Sequence, residues 1–151
     1  MRGKDMQEAV PARAPAHLWI VGGLATLWMA FGCYDYSMTV TRNEKYLAMY
    51  GPDALAYFNS FPGWAVGLWA LGVWGGLAGS LLLLARSRYA VLAYAVSLLG
   101  LLGTTVYQYG MSSMPASLNT TGMMVMLVVI WAIALGLLAY ARAMQARGLL
   151  R

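Results

Sequence analysis

The chain has 151 residues, ten of them Lys or Arg and five Asp or Glu, for a formal net charge of +5; 61% are apolar and only 10% charged. Water-soluble domains average about 25% charged residues, so this composition excludes an ordinary soluble globule, and no basic stripe with interleaved surface aromatics suggests nucleic acid as a partner. One cysteine, Cys33, and one histidine, His17, exclude an intramolecular disulfide and leave too few soft ligands for a zinc or haem site.

Residues 1–16 read as a cytoplasmic tail containing Arg2, Lys4 and Arg13. A bilayer core takes roughly 20 apolar residues of helix, and the first such run is about 18–36, with a single formal charge, Asp35, at its far end. A rival reading makes the run a cleaved secretory signal, with "AFGC" before Cys33 as a lipoprotein cleavage box. That box has Ala30 where a leucine-like residue belongs and Phe31 where a small one belongs, and the run is longer than a signal's apolar core. The segment is therefore read as a permanent helix, with Cys33 as a small packing residue.

The loop that follows is long enough to hold helix of its own. Thr41 and Glu44 have capping-box spacing, Gly51 and Pro52 end that piece, and a second short turn is expected from Pro52 to Phe58. Leu47, Met49, Tyr50, Leu55, Tyr57 and Phe58 suit a lid over the bundle or an interfacial collar.

The second span, about 64–85, is rich in glycine. Helices in lipid associate through close contact at small residues, and Gly72, Gly75, Gly76 and Gly79 form overlapping small-xxx-small pairs. They serve either a neighbouring helix of the same chain or a seam for a second copy or another membrane protein. The connection Arg86, Ser87, Arg88 is so short that the second span and the third, about 89–109, must be antiparallel neighbours. After the uncharged loop "GMSSMPASLNTTG" comes a fourth span, about 123–141, and a basic tail, 142–151.

Backbone amides in lipid need internal partners, so the spans are helices. The expected fold is an all-α membrane protein: four transmembrane helices over residues 17–141 in an antiparallel bundle, with short interfacial helices in the first outer loop. Arg2, Lys4, Arg13, Arg86, Arg88, Arg142, Arg147 and Arg151 fall on one side and only Arg42 and Lys45 on the other. Basic residues mark the cytoplasmic face, so both termini are expected in the cytoplasm and both long loops outside.

Seven of the ten tyrosines, at 34, 36, 46, 50, 57, 107 and 109, gather on the outer side with Trp64, Phe58, Phe61, Asn43, Asn59 and Gln108. If the first helix continues, Asp35, Thr39 and Arg42 fall at i, i+4 and i+7, which lets the carboxylate pair indirectly with the arginine. The candidate ligand-binding residues are Asp35, Tyr34, Tyr36, Arg42, Asn43, Trp64, Tyr107 and Gln108. Thr104 and Thr105 are expected to bond their own helix carbonyls, and Gln108 to turn inward or upward. "YDYSMT" and "YQYGMSS" echo each other at one end of the first and third spans, as parallel repeats do in some small transporters. No catalytic constellation is evident, and no cofactor or metal is expected.

The stretches "DYSMTVTRNEKYL", "YFNSFPGW" and "GSLLLLAR" resemble small bacterial four-helix inner-membrane proteins of unassigned activity, over most of residues 31–90. Some proteins of this kind carry the label sugar transporter. The resemblance implies a multi-pass protein of the bacterial inner membrane. The function expected is an accessory or small-ligand-binding membrane component with an aromatic, polar outer mouth. The alternative is an oligomeric transporter of a sugar-like or cationic solute.

Overall fold

A computed structural model describes residues 13–151; Arg2 and Lys4 lie outside the described residues. Among the described residues the protein is all-helical, with four helices long and apolar enough to span a membrane. They are α1 (Ala16–Val40), α4 (Gly63–Leu84), α5 (Tyr89–Val106, continued by a π turn over Tyr107–Met111) and α6 (Thr121–Ala146). Between α1 and α4 lie α2 (Glu44–Leu47), a 3-10 turn (Ala48–Tyr50) and α3 (Ala54–Asn59).

Local chemistry sets the ends of these elements. Pro15 and Pro62 stand at the N-caps of α1 and α4 with φ of −66° and −67°, where a fixed φ suits the first turn and a missing N–H costs nothing. The Thr120 side chain caps α6 by accepting from the Met123 amide at 3.3 Å. Three long helices close in the same way: Asn43 N–H to Met38 O, Ser87 N–H to Leu82 O and Leu149 N–H to Met144 O are each the long bond of a left-handed C-terminal cap. The left-handed residue is Gly148 after α6, but Arg42 after α1 and Arg86 after α4, both at φ 58°.

Several boundaries differ from the sequence reading. Helix α1 runs four residues past Tyr36, because the hydroxyls of Ser37, Thr39 and Thr41 bond carbonyls of the preceding turn and do not compete with the helix. The capping box at Thr41 and Glu44 is not formed. Thr41 is the C-cap of α1, and Asn43 caps α2 by accepting from the Tyr46 amide at 3.1 Å. Helix α6 continues through Ala146, five residues beyond the expected span. Past it the chain folds back: Arg151 and the 86–88 connection exchange backbone hydrogen bonds, and Leu149 and Leu150 are buried.

The bundle is a ring left open along one seam. Helix α4 packs against both α1 and α5, α6 packs against α5, and α1 and α6 meet at the termini end but share no extended interface. Small residues make the closest contacts. A Cβ on Gly100 would fall on the backbone of Leu68 and Gly72, and Gly75 meets Ser97. The Ser97 hydroxyl donates to the Gly72 carbonyl. Gly76 faces Met29 and Gly79 faces the Tyr94 ring, so all four glycines singled out in the second span are occupied within this chain. Buried Ser80 and Tyr94 join α4 to α5 through a 2.9 Å hydroxyl pair.

Two apolar clusters hold the ends. At the termini end, Leu18, Ala25 and Met29 of α1 meet Leu83, Ala90, Tyr94, Leu137, Ala141, Met144 and the folded-back Leu149 and Leu150. His17 Nδ1 and the Tyr140 hydroxyl, 2.6 Å apart, tie α1 to α6 there. At the loop end, Ala54, Tyr57 and Phe61 gather with Ala65, Tyr107 and Leu118.

The glycine contacts predict unequal costs. Gly100→Ala lowers stability by about 1–3 kcal/mol through overpacking. Gly67→Ala, with nothing near its Cβ position, leaves stability unchanged or raises it by up to about 1 kcal/mol through helix propensity. Denaturation in mild detergent separates the two, and equal losses contradict the contact.

Candidate functional site

Because α1 and α6 come together at the termini end and share no extended interface beyond it, the bundle opens toward the loop end. A cavity of about 440 Å³ occupies the space. Each long helix contributes a stripe at regular helical spacing. From α1 come Trp28, Gly32, Asp35 and Thr39; from α5, Ser97, Leu101, Thr104 and Gln108; from α6, Met123, Leu127, Ile130 and Ala134. Trp69, Gly72 and Val73 of α4 complete the wall, and Tyr50, Tyr57, Phe58, Met114 and Leu118 reach in from the two loops.

The loops form one cap. Tyr57 of α3 shares a 2.8 Å hydrogen bond with Ser112, and the Ser117 hydroxyl donates to Asp53 at 3.2 Å. Phe58 stacks on Trp69 at 5.8 Å between centroids, and Phe61 meets the Tyr107 ring edge-on at 4.9 Å. Aromatic pairs of this kind add about 0.5–1.5 kcal/mol beyond burial. The first loop is thus a collar held over the bundle.

Among the described residues, Asp35 is the one formally charged residue in the lining. Its Oδ1 accepts from the Tyr46 hydroxyl at 2.6 Å and from the Tyr50 hydroxyl at 2.9 Å. Charge-assisted hydrogen bonds contribute about 1.5–3 kcal/mol each, which is how a carboxylate is tolerated at this depth. Burial, reinforced by the Asp35 hydrogen bond and charge, pushes the Tyr46 phenol far above its ordinary value. Burial and the Asp35 charge also raise Tyr50, against a lowering contribution from its hydrogen bond with Tyr46. Burial likewise raises Tyr57. Tyr46 and Tyr50 therefore remain protonated donors near neutral pH.

Among the described residues, neither the second carboxylate oxygen, Oδ2, nor the side-chain amide of Gln108 has a hydrogen-bond partner. Among the described residues no buried side-chain nitrogen or oxygen lacks a partner, so these atoms keep some accessible surface, and both residues line the cavity. The other polar groups are largely spoken for: Thr39, Thr104 and Thr105 donate to carbonyls of their own helices at 2.7–2.8 Å. Thr105 also accepts from the Trp131 indole at 3.3 Å.

Of the eight residues selected from the sequence, Asp35 and Gln108 line this cavity. Tyr34 is half exposed and meets Tyr46 edge-on, while Tyr36 lies against Trp69. Asn43 is a helix cap, and Trp64, also half exposed, abuts buried Tyr107. Arg42 does not pair with Asp35. The helix ends before it, its left-handed backbone departs from the α1 face, and it borders a separate space of about 140 Å³ beside Phe58 and Phe61. Trp28, Trp69 and Phe58 were not among the candidates; the 28–32–35–39 spacing on α1 is the signal that leads to the first.

These placements set opposite expectations for two substitutions. Tyr46→Phe removes a donor from Asp35 and lowers stability by about 1–3 kcal/mol. Arg42→Gly relieves a left-handed non-glycine residue and raises stability by up to about 1 kcal/mol. Thermal unfolding of both proteins reads the difference, and a loss of stability in Arg42→Gly contradicts this placement of Arg42. Searches against family models, curated proteins and solved structures found no match for this chain.

Proposed function

We propose that this is an integral membrane protein of the bacterial inner membrane, with both termini cytoplasmic, which binds a small molecule in the cavity between α1, α4, α5 and α6. The observation that carries this reading is a 440 Å³ space, within the usual 300–1,000 Å³ of ligand pockets. Its walls are mostly apolar, and it is lined by Asp35 and Gln108, whose Oδ2 and side-chain amide have no hydrogen-bond partner among the described residues. The orientation is supported by the arginines of the 86–88 connection and of residues 142–151, which share the termini end.

Binding is favoured over transport by the asymmetry of the bundle. Passage to the termini end requires parting Leu18, Leu83, Tyr94 and Ala141, each at most 2% exposed. An accessory role through the glycine face is disfavoured because α1 and α5 already cover it.

The test is retention. Native mass spectrometry of protein extracted in mild detergent shows a small molecule bound to the wild type and absent from Ile130→Trp, which fills the cavity. Equal occupancy, or none in either protein, contradicts the reading. Reporter fusions at residue 151 and in the 112–120 loop check the orientation: opposite compartments are expected, with residue 151 inside.

A further inference from the structure

We propose that the cavity takes an amphipathic organic cation, an alkylammonium headgroup on an apolar tail, held by Asp35. The inference rests on reading the cavity as a binding site and adds the chemical class of its occupant. Three observations carry it.

The first is charge. Among the described residues that line the cavity, Asp35 supplies the single formal charge, with no Lys, Arg or His beside it. Where apolar walls and surrounding lipid lower the effective dielectric, an uncompensated carboxylate attracts a cation and repels an anion far more strongly than in water. Tyr46 and Tyr50 satisfy Oδ1 alone, which leaves Oδ2 to a ligand.

The second is the aromatic surround. Trp28, Trp69, Phe58, Tyr57 and Tyr109 all line the same space. Ring faces within about 6 Å of a cation contribute about 0.5–2 kcal/mol each. A quaternary ammonium is weakly hydrated and gains most from such faces.

The third is polarity along the length. Asp35, Tyr50 and Gln108 stand at the loop end, whereas Trp28, Met29, Leu101, Ile130 and Ala134 line the depth. Seven residues separate Asp35 from Trp28 and eleven separate Met123 from Ala134, about 10 and 16 Å of helix rise. A sugar in this slot leaves hydroxyls against apolar walls, each at a cost of about 1–3 kcal/mol. A tail of carbon does not. Toward the loop end, where α1 and α6 share no extended interface, such a molecule would enter from the lipid.

The test compares three probes with one tail: octyltrimethylammonium, octyl sulfate and octyl glucoside. Each is titrated calorimetrically, below micelle formation, into the full chain in zwitterionic lipid nanodiscs, with empty discs as reference. Saturable binding is expected for the ammonium and at least tenfold weaker binding for the other two. Asp35→Asn is expected to weaken the ammonium at least tenfold, and Ile130→Trp to abolish it. The preference of the wild type decides the matter even if Asp35→Asn does not fold. Should sulfate or glucoside bind as tightly, or a folded Asp35→Asn bind the ammonium unchanged, the cationic assignment falls. The cavity reading then survives if Ile130→Trp removes the binding that remains. Saturable binding by none of the three overturns both.

Discussion

Contact between the backbones of α4 and α5 at Gly72 and Gly100 is the constraint on which the rest of the bundle leans. Helices in lipid gain nothing from hiding apolar surface, so they associate where small residues permit close approach and where hydroxyls find partners. Ser97 on Gly72 and Ser80 on Tyr94 supply those partners beside the glycines. With α4 and α5 fixed as a central pair, α1 packs against α4 and α6 against α5. The outer two meet at one end, and the space between them elsewhere is the cavity.

The two ends of that arrangement differ chemically. The termini end is filled by side chains and by the folded-back residues 149–151, with the apolar core continuous from α1 to α6. The loop end is closed from above by an aromatic collar but keeps a hollow beneath it. Asp35 sits where the hollow meets the collar, and the collar supplies its donors. Loop and carboxylate therefore depend on each other: Tyr46 and Tyr50 hold the charge, and the charge helps to hold α2 and the 3-10 turn against α1. A buried polar contact of this kind orders the mouth without filling it.

Much of the fold was legible in the residues because it follows from solvent. Uninterrupted apolar runs of about 20 residues give the four spans, and the three-residue link at 86–88 gives the α4–α5 hairpin. Helix ends were less legible. Hydroxyls that bond backward carried α1 to Val40, and Asn43 displaced Thr41 as the cap because Thr41 already served the turn before it. The site was half legible. Placing Asp35 and Thr39 on one helical face anticipated the cavity stripe, but extending the face to Arg42 assumed helix where the chain turns left-handed. Gln108 turned inward as expected of an amide that cannot face lipid. Trp69 carries no such signal: Trp64 and Trp74, five residues to either side, are half exposed, and the cavity lies under the middle one. The echo between "YDYSMT" and "YQYGMSS" does not extend to backbone, since the first is regular α-helix and the second opens into a π turn.

The central claim is that α1 and α6 converge at one end and diverge at the other. Spin labels placed in lipid nanodiscs at Ala16 with Ala139, and at Phe31 with Met126, measure it directly through dipolar distance distributions. A short separation is expected for the first pair and a clearly longer one for the second. Equal, short separations at both levels mean a bundle closed along its whole length, and contradict it.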